Sequence, residues 1–151
     1  KRTFRCVVVG APELSTGLIS SMLIDSGNGR KGSREGTLTV KPAKSRPPGK
    51  TPGPGNLAIT RYRTVVEGAG QTALEVRVVT AQPQQVRIHL AEIGCPILAD
   101  PIYGEADELV SRQALHAAYL SLVHPVTEET LSFESRWPAD LAAVIPLPKR
   151  W

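Results

Sequence analysis

Cysteine, histidine and aromatic residues are all scarce in this chain of 151 residues, which holds two cysteines, three histidines and 5% aromatics. Cys6 and Cys95 lie far apart and form no metal-ligand spacing, so they read as reduced, semi-buried thiols. His89, His116 and His124 each stand alone, with no second ligand three or four positions away, so no metal is expected. The few aromatics leave no room for the stacking repeats of an RNA-recognition-motif sheet. No apolar run approaches the roughly 20 residues of a membrane-spanning helix, and no signal-peptide pattern opens the chain. Nucleophile elbow, P-loop and dinucleotide fingerprint are missing too. The reduced thiols point to a cytoplasmic protein, and the lack of a long apolar run to no membrane partner; the oligomeric state is left open, with a monomer expected.

What is present is ordinary in amount, with 41% hydrophobic and 21% charged residues, enough for one domain with a sizeable core. Its charge is unevenly placed. Residues 1–63 carry twelve Lys/Arg against three Asp/Glu, and residues 64–151 carry six against eleven, for a whole-chain net of +4. A basic half on a modestly charged whole suits a polyanion, although the same cations could simply solvate a loop.

Alternation marks the strands. Lys1 to Gly10 reads as a strand with one strongly apolar face, and Ile59 to Val66 and Leu74 to Thr80 as a hairpin. Ser15 to Ile24 is ambiguous between strand and short helix. Asp25 to Gly36, with four glycines and the cations Arg30, Lys31 and Arg34, reads as loop. Thr37 to Val40 is a short strand. Residues 41–55, rich in Pro, Gly and Lys, read as a flexible loop able to touch phosphates without reading sequence. Arg112 to Val123 opens as a helical turn and continues as a strand, Leu131 to Ser135 is a last strand, and Asp140 is a candidate helix cap. The fold class is α+β: a mainly antiparallel mixed sheet with a few short helices, in one domain.

The most informative stretch is Thr80 to Gly104. Val86, Leu90 and Ile93 recur at spacings of four and three, so they share one face of a short helix that Gly94 and Pro96 end. Arg87 sits one position past that face. Strand, helix with one arginine, and tight exit loop could hold an anion, or Arg87 could merely be solvated.

The residues in this stretch resemble a known family. Gln85-Val86-Arg87-Ile88-His89-Leu90-Ala91, Ile93-Gly94, Pro96-Ile97-Leu98, Asp100 and Tyr103-Gly104 are similar to the segment that RluA-like pseudouridine synthases write as TGRxHQIRVHLAxIGxPILGDxxYG. Arg112 to Ala117 with His124-Pro125 resembles the family's RQALHA…HP strand, and Leu131 to Glu134 its closing strand. Gly55, Ala58, Thr60 and Tyr62 fit GKxAxTxY, and Lys1 to Gly10 fits KxYxAxVxG. The five matches run in order along nearly the whole chain. Departures accompany them: Phe4 stands for the first strand's tyrosine, Ala81, Gln82 and Gln84 replace motif residues, and Ala99 replaces a glycine. The HRLD motif holding the family's catalytic aspartate does not occur.

The resemblance implies an isomerase that converts uridine to pseudouridine in ribosomal or transfer RNA, in RNA modification or rRNA processing, without metal or cofactor. A chain that opens on a strand without methionine is expected to be the C-terminal portion of such a catalytic domain, inactive by itself. The alternative is a catalytically inactive RNA-binding module derived from that fold. The resemblance makes Arg87 the partner of the missing aspartate and an anchor of the flipped nucleotide, Phe4 the residue stacked on uracil, and Val86 a wall of the base pocket. Arg30, Lys31 and Arg34 are expected on the RNA backbone. With no aspartate to neutralise it, Arg87 should be partly exposed or paired with a carboxylate from elsewhere, and Arg87→Ala should change stability by no more than about 1 kcal/mol.

Overall fold

The structure is a computed structural model and describes residues 1–27, 30–45, 47 and 56–148. Its centre is an eight-stranded sheet. The strands are β1 (Arg2–Val9), β2 (Thr16–Gly27), β3 (Arg30–Ser33), β4 (Thr39–Pro42), β5 (Asn56–Gly68), β6 (Gln71–Val78), β7 (Leu115–Val123) and β8 (Thr130–Glu134). They lie in the order β3-β2-β5-β6-β1-β7-β8, with β4 also on β2. Every pairing among these strands is antiparallel, so the expected mixed sheet is purely antiparallel. One α-helix, α1 (Gln85–Glu92), and a 3-10 turn (Ala139–Leu141) complete the α+β architecture.

The hairpin β5–β6 turns through Ala69 and Gly70, both at positive φ (53° and 76°), which matches the twist of a two-residue turn. β1 is more than one-faced. Cys6 and Leu74 pair across one pleat and Val7 and Ala73 across the next, and all four are fully buried. The sheet is therefore covered on both faces at this end, where Leu141 and Ile145 of the C-terminal segment join the same core.

Four local expectations are settled or changed. Thr16 to Ile24 is strand, within β2, and Ser15 lies just before it. Asp25 to Gly36 is largely a hairpin rather than a loop, because β2 runs on to Gly27 and returns as β3. Its Gly, Lys and Arg have little strand propensity of their own. Pairing with β2, and the Ser33 N–H donated to Glu92 Oε1 at 2.7 Å, override it. Asp140 is not a cap: Pro138 holds the N-cap position, and Asp140 lies within the turn and pairs with Arg112 at 2.7 Å. No helical turn precedes β7. The 41–55 stretch begins inside β4, and its residues 46 and 48–55 lie outside the described residues.

One detail of the topology positions the site. β7 pairs with β1 only from Arg2 to Cys6. Beyond it, the chain leaving α1 takes over that edge: the Val9 N–H donates to the Pro96 carbonyl at 2.9 Å, and the Leu98 N–H to the Val7 carbonyl at 2.9 Å. This carries Ala99 and Asp100 back toward the helix.

Candidate active site

Gln85 fixes the start of α1. It is buried, and its Nε2 donates to the Ile59 carbonyl and to Thr60 Oγ1, each at 3.0 Å. Its Oε1 accepts from the Thr80 hydroxyl at 2.8 Å and the Gln82 N–H at 3.0 Å. A fully satisfied buried amide has one geometry, so the 80–84 turn is held rigidly against β5. Gln84, at φ 59°, is the N-cap residue and lends no side-chain cap to the helix. Instead its Oε1 accepts from the Tyr103 hydroxyl at 2.6 Å.

Arg87 finds a carboxylate, and it is Asp100. Its Nε and Nη2 donate to the two carboxylate oxygens at 2.7 and 2.6 Å, a bidentate pair. The Asp100 side chain has no exposure and that of Arg87 only 14%. Asp100 also accepts from the N–H groups of Ile102 at 2.9 Å and Tyr103 at 3.1 Å. Burial pushes the Asp100 carboxyl up, but the Arg87 fork and the two backbone donors outweigh it and hold the group below the ordinary carboxylate range. The same bonds, against burial, raise Arg87. The guanidinium lies 5.4 Å from the Tyr103 ring centroid, and its Nη1 is not used by Asp100. Arg87→Ala would strand a buried carboxylate, so the expectation of little effect on stability gives way to a loss of about 3–5 kcal/mol.

Beside this pair is a cavity of about 330 Å³, lined by Phe4, Val78, Val86 and Leu115, with Arg2, Arg87 and the 80–85 turn around them. Phe4, Val86 and Arg87, brought from two distant parts of the sequence, thus share one cavity. Val86 and Leu90 face the sheet as expected, and Ile93 follows as the half-buried C-cap residue. The buried face is wider than the apolar spacing shows, since Gln85, Ile88 and His89 are buried as well.

Of the three expected backbone-contacting cations, two adjoin this corner. Arg30 Nη2 donates to the Ile102 carbonyl at 2.6 Å, and the Lys31 N–H donates to the Tyr103 hydroxyl at 3.1 Å. The Lys31 ammonium is 3.9 Å from Asp25. Arg34 follows β3, where its N–H donates to the Met22 carbonyl at 2.8 Å, and it is not among the residues that line the cavity.

His89 went unrecognised in the sequence as part of this corner. It is fully buried, with Nδ1 2.8 Å from Thr60 Oγ1 and Nε2 3.0 Å from Ser21 Oγ. Burial lowers its pKa to about 4, so the ring is neutral at pH 7. The available signal was its spacing: His89 lies four residues after Gln85, and both reach Thr60.

No family model matches the chain. Among curated proteins, an RNA pseudouridine synthase of Bacillus subtilis, YhcT, is 31% identical over 143 residues, covering 93% of this chain and 42% of that protein. An RNA pseudouridine synthase of Chloroflexus aurantiacus is 42% identical over 93 residues, 60% of this chain and 29% of that protein. Ribosomal large subunit pseudouridine synthase D of Pseudomonas aeruginosa is 29% identical over 97% of this chain and 45% of its own length. The chain is similar to RNA pseudouridine synthases along nearly its whole length. It spans less than half the length of these relatives. The human RNA pseudouridylate synthase domain containing 4 protein shares the fold, with a TM-score of 0.65 at 18% identity over 93% of this chain and 59% of that structure.

Against the motif that this segment resembles, the departure at Ala99 now has a physical meaning. The position where the motif has glycine adopts φ 56°, the left-handed region that costs an alanine about 1 kcal/mol. The turn persists because Asp100 beyond it is tied by four hydrogen bonds.

Proposed function

We propose that this chain supplies the uridine pocket of an RNA pseudouridine synthase, as the C-terminal part of its catalytic domain, and that without the aspartate motif it does not isomerise uridine alone. The observation that carries the reading is the convergence of Phe4, Val86 and Arg87 on one cavity beside an arginine oriented by a buried carboxylate. A uracil turned out of its stack would lie on the Phe4 ring with Val86 as a wall. Phe4 offers a π face but no hydroxyl, so proton transfer at this position falls to another group. Arg87, held by two of its nitrogens, presents Nη1 to an anion: the nucleotide's phosphate, or the carboxylate that attacks the base. Asp100 cannot be that nucleophile, since it is buried and committed to Arg87. Arg30 and Lys31, against the Tyr103 loop, extend the site toward the RNA backbone, and Arg34 continues that basic edge. RNA, ribosomal or transfer, is the partner, in the cytoplasm. No described helix is long and apolar enough to cross a membrane.

The test is chemical mapping of pseudouridine in ribosomal and transfer RNA incubated with the purified chain, with binding measured in parallel. Binding without conversion is expected, and Phe4→Ala should weaken it. Conversion would overturn the assignment of inactivity. Binding unaffected by both Phe4→Ala and Arg87→Lys would overturn the pocket.

A further inference from the structure

The sheet face opposite the cavity carries an arrangement that the proposed pocket does not use. Side chains alternate across a strand. Phe4 and Val78 face the cavity, so Thr3, Arg77 and, across β5, Arg61 project the other way. Arg61 and Arg77 are register partners on β5 and β6, which sets their Cβ atoms about 5 Å apart. Like charges directly opposite each other destabilise a sheet. Glu75, the carboxylate one step along β6, does not relieve them, because Arg63 takes both its oxygens at 3.1 and 3.0 Å. Arg61 spends one nitrogen on the Ser45 carbonyl at 3.2 Å. Arg77 is exposed, and its guanidinium has no hydrogen-bond or ion-pair partner among the described residues. The row continues through Thr3, Tyr119 and then the carboxylate of Glu134 on one side, and through Leu18 and Lys41 on the other. Two shallow depressions, of about 300 and 230 Å³, meet at Glu75 and Arg77.

We infer that Arg61 and Arg77 together bind a phosphate of the RNA backbone, giving the chain a second point of attachment on the face opposite the uridine cavity. Two guanidinium forks at this separation can share one phosphate, which removes the repulsion that the bare sheet tolerates. The neighbouring hydroxyls of Thr3 and Tyr119 are the donors that accompany phosphate and sugar contacts. A protein partner would call for buried aromatic or aliphatic anchors, and this row has none at its centre. The inference rests on the reading of the chain as RNA-binding.

The experiment follows the arginine Nε–Hε signals of the 15N-labelled full chain, assigned with Arg61→Gln and Arg77→Gln. Single-stranded RNA and inorganic phosphate are titrated in separately at matched ionic strength. RNA should shift both signals at concentrations where phosphate shifts neither. The double variant should bind the RNA on the order of tenfold more weakly, with a log affinity–log salt slope smaller by roughly one unit. Its melting temperature should equal or exceed that of the parent, since a repulsion is removed. If RNA moves the cavity residues and leaves these two signals unmoved, the second attachment falls and RNA binding stands. An equal response to inorganic phosphate makes this a small-anion site and overturns the inference. No response to RNA anywhere on the chain removes the RNA-binding reading and the inference with it.

Discussion

The corner formed by α1 and the Asp100 loop and the edge formed by β7 and β8 use burial in opposite ways. At the corner, Gln85, His89 and Asp100 are polar, buried and fully partnered. At the edge, the large apolar residues Leu120, Leu122, Val123 and Phe133 are 37 to 62% exposed. A fold selected for stability alone would do the reverse, because buried ion pairs and amides recover little more than their desolvation cost. What the corner gains is geometry: each polar group has one orientation, and the residues they hold line the cavity. The comparison teaches that the rigidity of this molecule is concentrated where a ligand would need it.

The strongest way to break this contrast is to remove the carboxylate. Asp100→Ala leaves Arg87 nearly buried and unpaired and frees the N–H groups of Ile102 and Tyr103. Loss of one partner of a buried pair costs about 3–5 kcal/mol, read as the shift in a urea unfolding curve. A loss below about 1 kcal/mol would mean that water reaches Arg87 freely and that the corner is no more rigid than the edge.

Acid tests the same corner without mutation. The His89 ring stays neutral in the folded protein down to about pH 4, whereas an unfolded imidazole takes a proton near pH 6.5. The unfolded state therefore binds more protons between these values, and stability falls as the pH falls. The lowered pKa corresponds to roughly 3 kcal/mol, fully present above pH 6.5 and lost by about pH 4. Asp100 adds a further loss at lower pH, as its depressed pKa is crossed. Unfolding curves from pH 7 to 4 should show the decline, and His89→Gln should flatten it. A stability level across that range would place water beside the ring.

How much of this was legible in the sequence follows from the distance over which each feature is decided. β1, β5 and β6 show in the alternation of Phe4, Cys6 and Val8 or Tyr62 and Thr64, because a pleat is a local property. β3 does not, since its Arg-Lys-Gly-Ser has strand character only when β2 and Glu92 pair with it. The need of Arg87 for a carboxylate is legible from the cost of an unpaired buried charge. The identity of that carboxylate is not, for Asp100 arrives only because residues 96–98 pair along the edge of β1. His89 reads as an isolated histidine until Ser21 and Thr60 are brought to it from two other strands.

A smaller effect, opposite in sign, sharpens the account of the Asp100 turn. Ala99 at φ 56° is strained relative to glycine. Ala99→Gly should raise stability by up to about 1 kcal/mol, the relief of that strain less the extra freedom of glycine in the unfolded chain. The Arg87–Asp100 pair should be untouched, so RNA binding should not change. Destabilisation would show that the buried Ala99 methyl matters more to the core than the backbone does.

The smallest effect belongs to the edge. Phe133 on β8 is register partner to Leu120 on β7, and at 55% exposure it keeps more than half its surface in water. Little apolar area is removed from water there, so Phe133→Thr should move the unfolding midpoint by no more than about 0.5 kcal/mol. Threonine keeps the β-branched preference for strand, so β8 should stay paired through the Tyr119–Glu134 to Val123–Thr130 register. What should change is solution behaviour, since an open strand edge beside exposed Leu122 and Val123 favours contact between molecules. Light scattering against concentration should therefore improve while stability stays level. A stability loss as large as that of Asp100→Ala would show that Phe133 clamps β8 to the sheet, and the two regions would then differ in chemistry but not in rigidity.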